Sequence, residues 1–258
     1  MTLSHGASIV TDNLILMLDA ANPRSYPGSG TAWKDLSGNG NTGTLVGTPT
    51  YLYYRGGLLS FSGAAQYVTT PLVQTSVTAY TISVWFLTNS TTQYMTMVGD
   101  RGSGAGVSVV VGIGGALGFG GNSGNLFVCV NSDNYMVPIY TPAAYNDTKW
   151  HNVVGVFDQP SGTITYSSLK LYVDGQLATT TNGTLLGPST SSPITGLGGT
   201  IIGNSPATFS GTYYTGLMSA VLIYNAALTA AQVAQNFEAY RGRYGVYLVW
   251  QIHTVLVL

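Results

Sequence analysis

The sequence predicts an all-β fold: a sandwich of two antiparallel sheets with one short helix near the C-terminus. Three observations lead there. Short apolar runs, several with period-two alternation, follow one another along the chain. Clusters of Gly, Asn, Asp and Pro punctuate them. A single late stretch carries helical spacing together with capping residues. Many strands and one late helix fit two packed sheets better than alternating βα units.

In chain order, LILML (14–18) is a compact apolar strand. AYTISVWFL (79–87) alternates, placing Tyr80, Ile82, Val84 and Phe86 on one face and Thr81, Ser83, Trp85 and Leu87 on the other. Further strands are expected at 95–99, 107–113, 117–121, 126–130, 151–157, 169–173, 176–181 and 217–224. Asp100 and Arg101 are expected as a turn ion pair, and the Gly- and Thr-rich stretch 182–199 as a long binding or contact loop. Asp174-Gly175 in LYVDGQLA reads as a type I′ hairpin turn, because both residues tolerate positive φ. Thr229-Ala230-Ala231-Gln232 is a capping box, with Leu228 placed to staple onto Val233. Val233, Phe237 and Tyr240 repeat at helical spacing, and Gly242 is placed to end the helix, which is expected over a sheet edge or the end of the sandwich. No linker divides the chain. One domain is therefore expected over 1–245, with the apolar tail 246–258 as an extra strand or a segment docking on a neighbouring subunit.

Composition limits the function classes. Of 258 residues, 45% are hydrophobic and only 7% charged, so the surface must be built from Ser, Thr, Asn, Gln, Tyr and Gly. The eight Lys and Arg are dispersed, which excludes nucleic acid as the main partner, since phosphate contacts require a basic footprint. The tail is shorter than the roughly 20 residues a bilayer requires, and MTLSHGAS has neither a basic nor an apolar signal region; no membrane span and no secretion signal are expected. A net charge of −1 favours association. The single cysteine, Cys129, sits among apolar neighbours and is expected as a buried thiol.

The stretch DLSGNGNTGTL (35–45) fits two chemical templates in part. Gly38, Gly40 and Gly43 match the dinucleotide spacing, but a polar turn precedes them and Pro49 follows, so the strand and helix that reading requires are missing. Asp35, Ser37, Asn39 and Asn41 offer oxygens at alternate positions around Gly40, as in a calcium loop. The closing glutamate would fall at Val46, which excludes an EF-hand. A non-EF Ca2+ site on Asp35, Asn39 and Asn41 stays open, beside the alternative that these side chains form Asx-turns with their own backbone.

No catalytic residue is expected. Glycoside hydrolysis needs two carboxylates roughly 5–10 Å apart, and no strand carries acids two positions apart. Glu238 stands on the helix as a solvated residue, and the aspartates fall at turns and strand ends. His5, His151 and His253 have no metal-like partner at i+2 or i+4. Ser205 in GNSPA lacks the second glycine of a nucleophile elbow. Sugar sites need an aromatic platform beside Asn, Asp or Gln. YLYYR (51–55), the segment 131–147 and FSGTYY (209–214) could supply one, whereas Trp85 and Trp150 are expected in the core.

Several segments, in order, resemble laminin-G-like, concanavalin A-like jelly-roll domains of the kind found in tailed-phage virion proteins and bacterial surface proteins. They are residues 14–45, LLSFSGAAQYV (58–68), YTISVWF (80–86), WHNVVGVFD (150–158), LKLYVDGQ (169–176) and 216–245. Where relatives often carry an acidic pair before the last strand, this chain has Ser219-Ala220-Val221. The resemblance implies a non-enzymatic structural protein with no required cofactor: a virion component of capsid, neck or tail, on the virion surface, packed against copies of itself and other virion proteins. The alternative it implies is a carbohydrate-binding adhesion module of a tail fibre or cell surface, with glycans as partners.

Overall fold

The computed structural model describes residues 7–92, 94–102, 108–115, 121–132, 135–187, 191–204 and 213–246. Among these, eight strands form one antiparallel sheet and ten form a second. From its edge, the first sheet runs Gln176–Leu177, Leu169–Val173, His151–Asp158, Ala79–Leu87, Thr215–Tyr224, Leu58–Ser62 and Thr50–Leu52, with Leu14–Asp19 also paired to Thr215–Tyr224. The second runs Thr181–Asn182, Tyr135–Ala144, Asn125–Ser132, Ser108–Ile113, Met95–Gly102, Ile194–Ile202, Tyr67–Thr69, Gly43–Val46 and Ala32–Trp33, with Gln74–Val77 also on Ile194–Ile202. The predicted two-sheet sandwich is thus present.

Period-two alternation builds the core. Tyr80, Ile82, Val84 and Phe86 face the second sheet, where Val109, Val111, Val128 and Val130 meet them. Gly155, in His151–Asp158, sits where the sheets approach closely. A Cβ there would stand 2.6 Å from a methyl of Val111 and 2.7 Å from one of Val128.

The other face of the first sheet is covered by the helix Ala230–Tyr244. Trp85, Val154, Tyr172 and Leu222 pack there against Val233, Phe237, Tyr240 and Tyr244. The helix therefore lies on a sheet face, not over an edge or an end. Its capping box forms: Gln232 N–H donates to Thr229 Oγ1 (3.3 Å), and Thr229 N–H donates to Gln232 Oε1 (2.9 Å). It ends at Gly245 (φ 69°), whose N–H bonds the Arg241 carbonyl, and not at Gly242. The extra turn lets Tyr244 stack on Trp85 (4.2 Å) and lean on Trp150 (4.7 Å), and places the one left-handed residue after that contact. Arg243 then pairs with buried Asp19 at 2.7 Å, tying the helix end to the first strand.

Other expectations shift. The stretch 176–181 is not one strand: Gln176–Leu177 belongs to the first sheet and Thr181–Asn182 to the second, so the chain crosses between them there. Asp100 and Arg101 lie within the strand Met95–Gly102, not in a turn. Most of 191–202 is strand, not loop. Asp174 (φ 50°) and Gly175 (φ 79°) form the expected I′ turn. Cys129 is buried on the outer face of the second sheet beside Val110 and Phe127, and burial pushes its thiol up to about 12. Residues 117–120 of the strand expected at 117–121, Ser205, His5, His253 and the tail from 247 lie outside the described residues. No helix among the described residues is long and apolar enough to cross a membrane.

Candidate binding depression at one end of the first sheet

A depression of about 380 Å³ opens at one end of the first sheet. Four segments meet there: the loop after Thr50–Leu52, the turn before His151–Asp158, the Asp174-Gly175 turn and the C-terminal end of the helix. Trp150 and Tyr244, already held by stacking, contribute its aromatic lining.

The loop supplies the open aromatic surface. Tyr54, which lines the depression, is 56% exposed, and its neighbour Tyr53 is 88% exposed. The Arg55 guanidinium lies 5.2 Å from the centre of the Tyr54 ring and donates to the Arg243 carbonyl at 3.1 Å. That carbonyl belongs to the last turn of the helix, where the dipole favours a cation.

Another part of the lining is ionic. His151 Nδ1 is 2.8 Å from Asp174 Oδ2, and Nε2 is 3.1 Å from Asp147 Oδ1. An ionised carboxylate only accepts, and a neutral imidazole has one N–H. Both contacts are hydrogen bonds only when His151 is the imidazolium. Burial pulls its pKa down, but the bonds and charges of Asp174 and Asp147 outweigh this and leave it raised. Asp147 feels an upward push from desolvation, yet Lys149 and His151 hold it down to about 2. Lys149 Nζ stands 2.9 Å from Asp147 Oδ2, and Tyr145 meets the His151 ring edge-on at 5.0 Å. Asp174 Oδ1 also accepts from Asn152 N–H (2.8 Å), and Asp147 Oδ1 from Lys149 N–H (3.1 Å).

Backbone strain gathers at the same place. Arg55 (φ 51°), Thr148 (φ 66°) and Asp174 (φ 50°) all line the depression, and they are three of the six non-glycine residues with positive φ among the described residues. Thr148 is β-branched, for which this region is costly. Strain of this kind tends to persist where function requires a fixed geometry.

The residues predicted for calcium lie elsewhere. Asp35 Oδ1 accepts from Met17 N–H and Ser37 N–H, both at 2.9 Å; Oδ2 accepts from the Ser37 hydroxyl (2.8 Å) and Asn41 N–H (2.9 Å). Asn39 and Asn41 donate their side-chain amides to the Leu14 and Ile15 carbonyls at 3.0 and 2.8 Å. A cation on Asp35 would compete with four protein donors. Among the described residues, no group of three or more His, Cys, Asp or Glu is placed to hold a metal ion.

Of the three aromatic segments read from the sequence, YLYYR lines the depression through Tyr54 and Arg55. The segment 131–147 reaches the site through Tyr145 and Asp147, whereas its Tyr135 is buried; in the third segment Tyr214 is buried and residues 209–212 lie outside the described residues. The polar groups beside the platform are ionic: Asp174 is of the expected Asn, Asp or Gln set, whereas Arg55, Lys149 and His151 are not. Sequence reasoning missed the Asp147–His151–Asp174 cluster. Asp147 stands four residues before His151, a spacing visible in the sequence, but Asp174 reaches it only through the hairpin.

A family profile described as Laminin_G_3, Concanavalin A-like lectin/glucanases superfamily, matches residues 62–234. No curated protein matches the sequence. Among solved structures, domain 4 of AbnA, a GH43 extracellular arabinanase from Geobacillus stearothermophilus, in complex with arabinotriose, is similar with a TM-score of 0.62 and 18% identity, over 88% of this chain and 98% of that one. The binding domain of Paraclostridial Mosquitocidal Protein 1 is similar with a TM-score of 0.61 and 16% identity, over 89% of this chain and 53% of that one. The receptor binding domain of botulinum neurotoxin C/D mosaic serotype gives 0.59 and 15%, over 89% and 52%. The chain thus spans about half the length of the two toxin domains. At these identities the likeness shows a shared jelly-roll fold.

Proposed function

This chain belongs to the concanavalin A-like lectin/glucanases superfamily, and from that premise we propose that it is a non-catalytic carbohydrate-binding module. Its ligand seats in the depression at the end of the first sheet. The observation that carries this reading is the exposed Tyr54 beside two groups with free hydrogen-bond donors, Arg55 and Lys149, in one depression. A sugar ring offers C–H groups to a tyrosine face and hydroxyls to the flanking polar groups. Asp147 and Asp174 are both engaged by His151, so they serve to hold the wall in shape and not as an acid/base pair. Of the structural neighbours named above, two are binding domains of toxins and the third is an arabinanase domain in complex with arabinotriose. None is a virion protein, so they favour the glycan-binding alternative over the virion role expected from the sequence. The matching location is extracellular or on a cell surface.

The test is a glycan array followed by calorimetric titration of any hit against the wild-type protein and Tyr54→Ala. We expect Tyr54→Ala to weaken binding about tenfold, the equivalent of ~1.4 kcal/mol. Unchanged affinity in that variant would move the site elsewhere, and silence across the array would remove the lectin reading.

A further inference from the structure

We propose that the depression recognises an anionic group on its ligand, a carboxylate or a sulfate, with the Arg55 guanidinium as its primary contact. This rests on the glycan-binding reading for the ligand's identity but not for the anion site itself.

The argument starts from hydrogen-bonding capacity. The two carboxylates at the site already give five of their about eight acceptor positions to protein donors. Asp174 bonds His151 Nδ1 and Asn152 N–H; Asp147 bonds His151 Nε2, Lys149 N–H and Lys149 Nζ. The cations retain free donors. A guanidinium carries five N–H groups, and Arg55 makes one described hydrogen bond, to the Arg243 carbonyl. Lys149 carries three, of which Asp147 takes one, and its side chain is 75% exposed. What remains on the wall for a ligand is therefore mostly donor, and the matching ligand group is an acceptor.

Charge points the same way. With His151 held as the imidazolium by its two carboxylate contacts, Arg55, Lys149 and His151 face Asp147 and Asp174. The cluster then carries one net positive charge, in a chain whose overall net charge is −1. The remaining ionisable neighbours are Tyr145, edge-on to His151, Tyr54 under Arg55, Tyr244 in the lining, and the Arg243–Asp19 ion pair beside Tyr244, which adds no net charge.

Arg55 is also preorganised. Its backbone is fixed at φ 51°, its guanidinium lies over Tyr54, and one edge is anchored on the helix end. A planar fork held in this way suits the two oxygens of a carboxylate or sulfate, which a flexible lysine would grip as a point charge only. The Tyr54 ring beside it would take the sugar face carrying that group. Loss of the His151 proton removes the net positive charge, so binding should weaken as pH rises.

The experiment has two arms on the full chain. In the first, NMR follows the Arg55 and Lys149 side-chain resonances during titration with sodium glucuronate, sodium sulfate and uncharged glucose. The expected result is saturable movement with one or both anions, none with glucose at the same concentration, and loss of the response in Arg55→Gln. Glucuronate against sulfate tells which acid the site prefers. In the second, calorimetry compares a uronate-bearing oligosaccharide with its uncharged counterpart at pH 6 and pH 9. The acid form should bind about tenfold more tightly at pH 6, and the advantage should shrink at pH 9 and in Arg55→Gln. Anion binding without any oligosaccharide binding would sink the lectin reading and keep the anion site. Equal affinity for both oligosaccharides, with no response to either small anion, would overturn the anion site and keep the lectin reading. No response in either arm would end both.

Discussion

Asp35 shows how fully a polar run resembling a calcium loop can engage donors of its own protein. Its two oxygens accept four hydrogen bonds, and Asn39 and Asn41 stitch the loop to the carbonyls of the first strand. Hydrogen bonding to the charged form stabilises a carboxylate much as a cation would. We expect a chelator to leave the melting temperature unchanged. A drop that added calcium reverses would show an ion at this loop, since a ligand that binds only the folded state raises its stability. The residue types of this loop were legible in the sequence, and so was the Asx-turn alternative. The identity of the partners was not, because Leu14 and Ile15 are brought to the loop only by the fold. The same holds for His151: its two carboxylate neighbours come from different turns, and only one is near in sequence.

Elements were read more reliably than sites. The alternation in Ala79–Leu87 assigned its faces correctly, and the Asp-Gly turn and the capping box formed as expected. The helix end was misplaced, because Gly242 and Gly245 are equivalent as sequence signals, and the choice depends on where Tyr244 meets Trp85 and Trp150. The break after Leu177 was missed because polar residues on a crossing between sheets look like those on an edge strand. Gly155 gives a test at this scale. A strand glycine replaced by alanine usually gains stability, but here the new methyl would press on Val111 and Val128. Gly155→Ala should destabilise by about 1–3 kcal/mol in urea unfolding, through overpacking between the sheets. A gain in stability would mean the sheets separate at little cost.

For the molecule as a whole, charge is so sparse that few groups can set its pH response near neutrality: eight Lys and Arg, nine Asp and Glu and three His in 258 residues. Asp147 is depressed to about 2 from an ordinary 3.8, so its contribution is present above the ordinary value and is lost as pH falls toward 2. His151 is raised above 6.5, so its contribution is complete below that value and is lost as pH rises through the folded pKa. Thermal melts should therefore show declining stability on both sides of a plateau between about pH 4 and pH 6.5. His151→Gln should remove the decline attributed to the upper side; an identical alkaline limb in that variant would assign it to other groups. The two-sheet architecture was legible from alternation and turn chemistry across the chain. The role was less so, since the same jelly roll serves different functions and only the local chemistry of a depression distinguishes them. That depression has an optical consequence. Trp150 lines it and packs on Tyr244, which stacks on Trp85, so two of the four tryptophans report on one site. Ligand arrival should alter the intrinsic emission of the unlabelled protein, which would let the native chain serve as its own sensor.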